Sequence, residues 1–226
     1  MRFIDINFNF GDGSELLIWF IITVLISWLI LLFHSIKYYG AKKTFRYFFP
    51  IILAGLFIES AGAASGRYVY PGYFIYLSIF ENGWVPLAIV IGWSVNLFLF
   101  LHMAKHFINK IYKKRNLFQI LSISTVAGFF AVCLDSLQDP LAHHNSWWTW
   151  SQSLSGVTFY DVPILNFVGW FLLIFYMSIA TMLIERMEYT ENRKVLLSIS
   201  SLSITGLAIL ITQGIILKIF QILGIS

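Results

Sequence analysis

Six apolar runs divide the chain, at about residues 16–34, 47–65, 84–104, 117–135, 162–184 and 196–221. At a helical rise of about 1.5 Å per residue each is long enough to cross the hydrocarbon layer of a bilayer. Backbone polar groups inside lipid find no water, so a spanning segment satisfies them internally as a helix. The pattern therefore predicts an all-α fold, a polytopic membrane bundle of about six transmembrane helices. Connections between the runs are short, which predicts one integral membrane domain over residues 1–226 with any site built between helices. Met1 to Glu15 lacks a basic n-region, and no small-residue cleavage site follows the first run, so the first helix is expected to be retained. The tail from Phe3 to Phe10 alternates apolar and polar residues and is assigned to the membrane interface as an anchor. No internal repeat is evident.

Composition agrees with this pattern. Hydrophobic residues make up 58% of the chain and charged residues 12%, and the mean hydropathy is +0.78, which excludes a soluble domain. Twelve of the fifteen lysines and arginines cluster after the first, third and fifth runs: Lys37, Lys42, Lys43 and Arg46, then Lys105, Lys110, Lys113, Lys114 and Arg115, then Arg186, Arg193 and Lys194. Basic loops stay cytoplasmic, so the chain is expected to be a multi-pass protein of the cell membrane with both termini extracytoplasmic. Only Arg2, Arg67 and Lys218 fall on the outer side. The net charge of +4 thus reflects topology and gives no support to nucleic-acid binding. Cys133 is the single cysteine, which excludes an internal disulfide and a cysteine metal cluster.

Against this apolar background the acids stand out. Asp135, Asp139 and Asp161 lie between residues 135 and 170 with His143, His144, Trp147, Trp148, Trp150 and Trp170, and that stretch contains no lysine or arginine. Glu59 sits well inside the second run, and a carboxyl group at membrane depth is costly enough to mark function by default. Counting along the helices puts Glu59, Arg67, Asp135, Asp139 and Asn166 toward the outer side, where they are expected to converge on a pocket. Trp170 follows Asn166 by one turn and Asn96 follows Trp93 by three residues, so each pair shares a helix face. The plainer readings are that Glu59 pairs with Arg67, that the aspartates are solvated helix ends, and that Trp147, Trp148 and Trp150 belong to an interfacial aromatic belt. Pro140 is expected to make its surroundings irregular, with Asp139 beginning a loop. Gly62 and Gly66 are assigned to close helix packing. His102 and His106 have a metal-ligand spacing, but they fall at the opposite membrane face from His143 and His144, so no metal is assigned.

These residues resemble a known family. Asp161-Val162-Pro163-Ile164-Leu165-Asn166-Phe167-Val168-Gly169-Trp170 is similar to the G-V-P-L-x-N-F-x-G-W signature of carotenoid biosynthesis membrane proteins, which include carotenoid hydratases and bisanhydrobacterioruberin hydratases. Glu59-Ser60-Ala61-Gly62 with Gly66 and Tyr70, Val85-Pro86-Leu87 with Trp93, and Asp135-x-x-x-Asp139-Pro140 followed by Trp148 and Trp150 resemble its other motifs in order. The likeness covers about residues 50 to 185. Asp161 stands where the family pattern commonly has glycine.

The resemblance implies addition of water to a terminal isoprenoid double bond of an acyclic carotenoid. Such chemistry needs an acid that protonates the alkene, and surroundings that hold the tertiary cation until water attacks. Glu59 is expected to be the acid, with Asp135 and Asp139 assisting the water, or the reverse. Arg67, Tyr70, Trp93, Asn96, Trp148, Trp150, Asn166 and Trp170 are the expected substrate-binding residues, with aromatic faces serving the cation. No cofactor is required. The expected partners are a lipophilic carotenoid or polyprenyl substrate, the bilayer, and other carotenoid biosynthesis enzymes. Two competing classes are a membrane prenyltransferase, in which Asp135-x-x-x-Asp139 would hold magnesium diphosphate, and a small transporter or proton relay.

Overall fold

The structure is a computed structural model that describes residues 4–6, 14–72, 75–151 and 157–222. Six helices carry the chain: α1 (Ser14–Tyr39), α2 (Ala41–Ala64), α3 (Leu87–Ile111), α4 (Leu117–His144), α5 (Ile164–Arg186) and α6 (Glu191–Ile222). All six are long and apolar enough to cross a membrane. In lipid there is little hydrophobic gain from burying one helix against another, so association rests on close packing. Small residues provide it. A Cβ at Gly55 would lie 2.5 Å from the Trp93 ring and one at Gly128 would lie 2.8 Å from Phe171, while Ala104, Ala127 and Ala131 are fully buried. Tyr47, Ile51, Leu97, Leu101, Ile120, Leu173 and Ile174 fill the core that α2, α3, α4 and α5 share. Helices α1 and α6 are buried along little of their length and flank that core.

One end of the bundle is basic. Only Gly40 joins α1 to α2, at φ +79°, and Ser35 and Thr44 hydrogen-bond across the junction at 2.8 Å. Glu185, at the end of α5, accepts the Tyr47 hydroxyl and meets Lys105 at 2.8 Å and Lys43 at 3.4 Å. Arg46 pairs with Glu191 at 3.0 Å, and Arg186 donates to the Asn116 carbonyl and the Gln119 amide oxygen. A single acid thus ties α2, α3 and α5 together where three basic loops would otherwise repel.

The other end carries short antiparallel strands. β1 (Ile4–Ile6), β3 (Ile75–Leu77) and β4 (Val85–Pro86) form a three-stranded sheet in the order β1-β3-β4. The expected interfacial anchor is thus, at Ile4–Ile6, the edge strand of that sheet; the rest of the Phe3 to Phe10 tail lies outside the described residues, as does Arg2. β2 (Tyr68–Val69) pairs with β5 (Thr149–Trp150), setting Tyr68 opposite Trp150. β6 (Thr158–Phe159) and β7 (Val162–Pro163) make a hairpin closed by Tyr160 and Asp161, both at positive φ (+47° and +63°). Two consecutive left-handed residues are what a tight type I′ turn requires, and aspartate tolerates that region better than most side chains. This accounts for the family's glycine at the position of Asp161.

Two expectations need correction. Helix α4 does not end before Pro140 but runs through it to His144, so Asp139 is helical and sits one turn from Asp135 on the same face. Proline lacks only one helical hydrogen bond, and the end beyond it is closed firmly: the Trp147 N–H reaches the Ala142 carbonyl at 2.9 Å with Ser146 at φ +55°. The chain also does repeat itself. Val-Pro-x5-Gly-Trp opens α3 at Val85–Trp93 and α5 at Val162–Trp170, with each proline at the helix N-cap. The preceding helices match as well. α2 ends with the same closure as α4, Arg67 N–H to the Gly62 carbonyl with Gly66 at φ +70°, and Tyr68 and Tyr70 follow Glu59 at the intervals by which Trp148 and Trp150 follow Asp139. The repeat escapes a reading by composition because its shared positions are few and scattered among interchangeable apolar residues.

Two outcomes test these contacts. Replacing Glu185 with alanine leaves Lys43 and Lys105 facing each other without a counter-charge; it should cost roughly 3 kcal/mol, read as a lowered thermal midpoint in detergent, and an unchanged midpoint would show that the cluster stabilises nothing. Asp161→Gly should raise stability by about 1 kcal/mol by removing the left-handed penalty, whereas a lower midpoint would mean that the side chain itself holds the hairpin.

Candidate functional site

At the end opposite the basic cluster, α1, α2, α3, α4 and α5 surround a cavity of about 310 Å³. Its wall includes Glu59, Asp139, Asn166, Asn96, Tyr70, Trp93, Trp148, Trp150 and Trp170, and among the described residues no lysine or arginine contributes to it. Such a volume lies at the small end of small-molecule sites. It suits the end of a long apolar chain, with the remainder left outside.

Glu59 is held by three donors. The Tyr68 and Tyr70 hydroxyls both reach its Oε2 at 2.7 Å, and the Trp93 indole N–H donates to Oε1 at 3.0 Å. Local backbone explains the convergence. The chain leaves α2 through the left-handed Gly66, and the extended segment that follows alternates its side chains, so Tyr68 and Tyr70 turn inward while Arg67 and Val69 turn out. The Tyr68 hydroxyl needs Gly62, where a Cβ would lie 2.2 Å from it. Gly62 therefore makes room for a side chain, and Gly66 reverses the chain at the helix end; neither serves the close helix packing expected of them. Burial and the neighbouring Glu59 push the Tyr68 phenol well above its ordinary pKa, so it remains a donor across the physiological range.

The second group of acids is organised differently. Asn166 sends one amide nitrogen to Asp139 Oδ2 at 2.5 Å and to Asp135 Oδ2 at 3.0 Å. The shared nitrogen joins two carboxyl groups that lie one turn apart on α4. Both are buried, and Asp135 Oδ1 has no protein partner. Above them lies an aromatic wall. The Trp93 and Trp170 rings meet at 4.3 Å between centroids, Tyr68 meets Trp150 at 5.0 Å, and Tyr70 meets Trp148 at 6.0 Å.

Of the eleven residues singled out from sequence, nine line the cavity. Asp135 stands behind it, linked to the lining through the Asn166 amide that it shares with Asp139. Arg67 does not line it: exposed beyond the end of α2, it offers only its carbonyl, which accepts the Ser151 N–H at 2.8 Å. The pairing of Glu59 with Arg67 is likewise replaced by the three neutral donors. Sequence reasoning missed Tyr68, Gln138 and the α1 wall of Phe20, Thr23, Val24 and Ser27. Signals existed for each. Tyr68 shares the strand face of Tyr70, Gln138 lies between the aspartates and Trp148, and Thr23 and Ser27 are one turn apart as polar residues in an apolar run. His102 packs on Phe98 and hydrogen-bonds its carbonyl near the basic end, far along the bundle from His143 and His144. Among the described residues, no three histidine, cysteine, aspartate or glutamate side chains gather as a metal would require.

The model of the carotenoid biosynthesis protein family matches residues 19–225. The chain belongs to this family. The family match spans α2 to α6, α1 from Trp19 onward, and every described residue of the cavity wall. No curated protein and no solved structure matches the chain.

Gly62→Ala probes the cradle around Glu59. Overpacking against the Tyr68 hydroxyl should cost roughly 1–3 kcal/mol of stability and free that hydroxyl from Glu59, read by thermal unfolding and by the phenolate absorbance of an alkaline titration. A variant that titrates and unfolds like the parent would mean that the hydroxyl is not seated there.

Proposed function

We propose that this protein is a hydratase that adds water to the terminal isoprenoid double bond of an acyclic carotenoid. The observation that carries this reading is a cavity walled by tryptophan and tyrosine rings, with the carboxyl groups of Glu59 and Asp139 in its lining, Asp135 behind them, and no basic side chain among the described residues that line it. Protonation of a trisubstituted alkene yields a tertiary cation. Electron-rich ring faces attract such a cation by up to about 2 kcal/mol or more when desolvated, and the Trp93–Trp170 pair stands beside the acids to do so. Glu59, Asp135 and Asp139 supply the proton and take one back from the attacking water, and Asn166 orients the aspartates. The chain's own residues account for every proton, so the proposed reaction uses no cofactor.

The same wall speaks against diphosphate chemistry, since a prenyl diphosphate needs cationic partners. Bilayer geometry and the basic loops favour a cell-membrane orientation in which the cavity opens toward the outer leaflet and both termini are extracytoplasmic. A lipophilic substrate then reaches the site from the bilayer, where partner enzymes of carotenoid synthesis release it.

Mass analysis of pigments from a host making lycopene or bisanhydrobacterioruberin tests the proposal. Expression of the protein should shift the pigment by one water per reacting end. Glu59→Gln, Asp135→Asn and Asp139→Asn should each accumulate unhydrated pigment, with losses on the order of 100-fold for a removed acid or base. Full hydration by all three variants would show that these carboxyl groups are not the catalysts.

A further inference from the structure

The two halves of the site are copies of one design, and they differ in their hydrogen-bond donors. In the first copy Glu59 lies near the end of α2, Tyr68 and Tyr70 follow it in and just after β2, and Val-Pro-x5-Gly-Trp brings Trp93 to the cavity. In the second Asp139 lies at the matching place near the end of α4, Trp148 and Trp150 follow just before and in β5, and the same motif brings Trp170. β2 and β5 pair antiparallel through Val69 and Thr149, and Trp93 meets Trp170, so the two copies face each other across the cavity. Glu59 and Asp139 are thus equivalent positions on opposed walls.

Around these equivalent acids the substitutions are one-sided. The first copy surrounds Glu59 with two hydroxyls and an indole N–H, and three donors on one carboxyl group solvate an anion. In the second copy tryptophans replace both tyrosines, and the Trp150 indole N–H finds no protein acceptor. Asp139 has instead a second carboxyl group one turn away and a single amide nitrogen shared between the two. Counting along the repeat, Asp135 stands where the first copy has Gly55, and Asn166 where it has Ile89. Two adjacent buried carboxyl groups repel as anions, and Asp135 Oδ1 has no donor, so a proton held between them resolves both problems.

We infer that the pair Asp135–Asp139 is the proton donor and that Glu59 is the opposed carboxylate, which faces the cation and receives the proton released by water. This assignment rests on the hydratase reading and selects the second of the two role assignments that the sequence left open. Asp139 gives its proton to the less substituted alkene carbon, and the π pair forms the new C–H bond, leaving a tertiary cation. Water attacks that cation through an oxygen lone pair, and the resulting oxonium loses one proton to Glu59. Glu59 returns this proton to the aspartates through solvent, so one water is consumed and each carboxyl group ends as it began. Asp135 touches no substrate; it is a positioning residue that shares the proton with Asp139.

Deuterium exchange separates the roles, because forming the cation and capturing it by water are different events. The full-length protein in liposomes is given lycopene in heavy water, and both hydration and deuterium in the recovered alkene are followed by mass spectrometry. Glu59→Gln should keep exchange within a few-fold of the parent while hydration falls about 100-fold, because the cation forms and then returns its proton. Asp139→Asn should lose both by about that factor. Tyr70→Phe, which keeps the ring, guards against misfolding of the charged-site variants and should lower hydration about tenfold with exchange unchanged. Exchange that is lost in Glu59→Gln and retained in Asp139→Asn overturns the assignment, as does equal loss of exchange and hydration in both Glu59→Gln and Tyr70→Phe. A parent protein that shows neither exchange nor hydration defeats the hydratase reading itself.

Discussion

A carboxyl group at membrane depth has to find every hydrogen-bond partner inside the protein, and this demand organises the half of the molecule that holds the cavity. Burial removes Glu59 from bulk water, so two tyrosines from the segment that follows α2 and a tryptophan from α3 are drawn to it. Placing those donors requires a left-handed glycine to end α2, a gap at Gly62, a strand pair to hold the tyrosines, and a helix that begins at Pro86 so that Trp93 arrives two turns in. The short strands at this end are the scaffold of a polar site in an apolar body.

The two ends of the bundle solve the same problem with opposite means. Glu185 lies among lysines and a tyrosine, and its charge is matched by formal charges that lock the helix ends. Glu59, Asp135 and Asp139 are bonded by hydroxyl, indole and amide groups that carry none. A salt bridge would neutralise an acid and occupy its oxygens, which serves stability and obstructs proton transfer. Neutral donors hold the geometry of these acids without setting a formal counter-charge beside them.

The internal repeat gives this site its economy. Two copies of a helix, a strand and a Val-Pro-x5-Gly-Trp helix start place two acids and two tryptophans on facing walls, and differences at a handful of matching positions make the walls unlike. Tyrosine against tryptophan and glycine against aspartate are small changes in a chain, yet in a buried site they decide which hydrogen-bond partners each acid has.

Sequence alone determined the membrane bundle, because apolar runs of spanning length leave the backbone no alternative to helices, and the distribution of lysine and arginine marks one end as basic. It also singled out Glu59, the aspartates, Asn166 and the tryptophans, since polar and aromatic groups are conspicuous in an apolar chain. Only tertiary structure decided how they meet. That α4 continues through Pro140 and so stacks Asp135 on Asp139 depends on the closure of the helix beyond the proline, which local propensity does not encode. That Arg67 turns away while Tyr68 turns in depends on the handedness of one glycine and the register of a two-residue strand pair. Depth along a helix is written in residue order; the azimuth of each side chain, and therefore its partner, is set by packing between segments far apart in the chain.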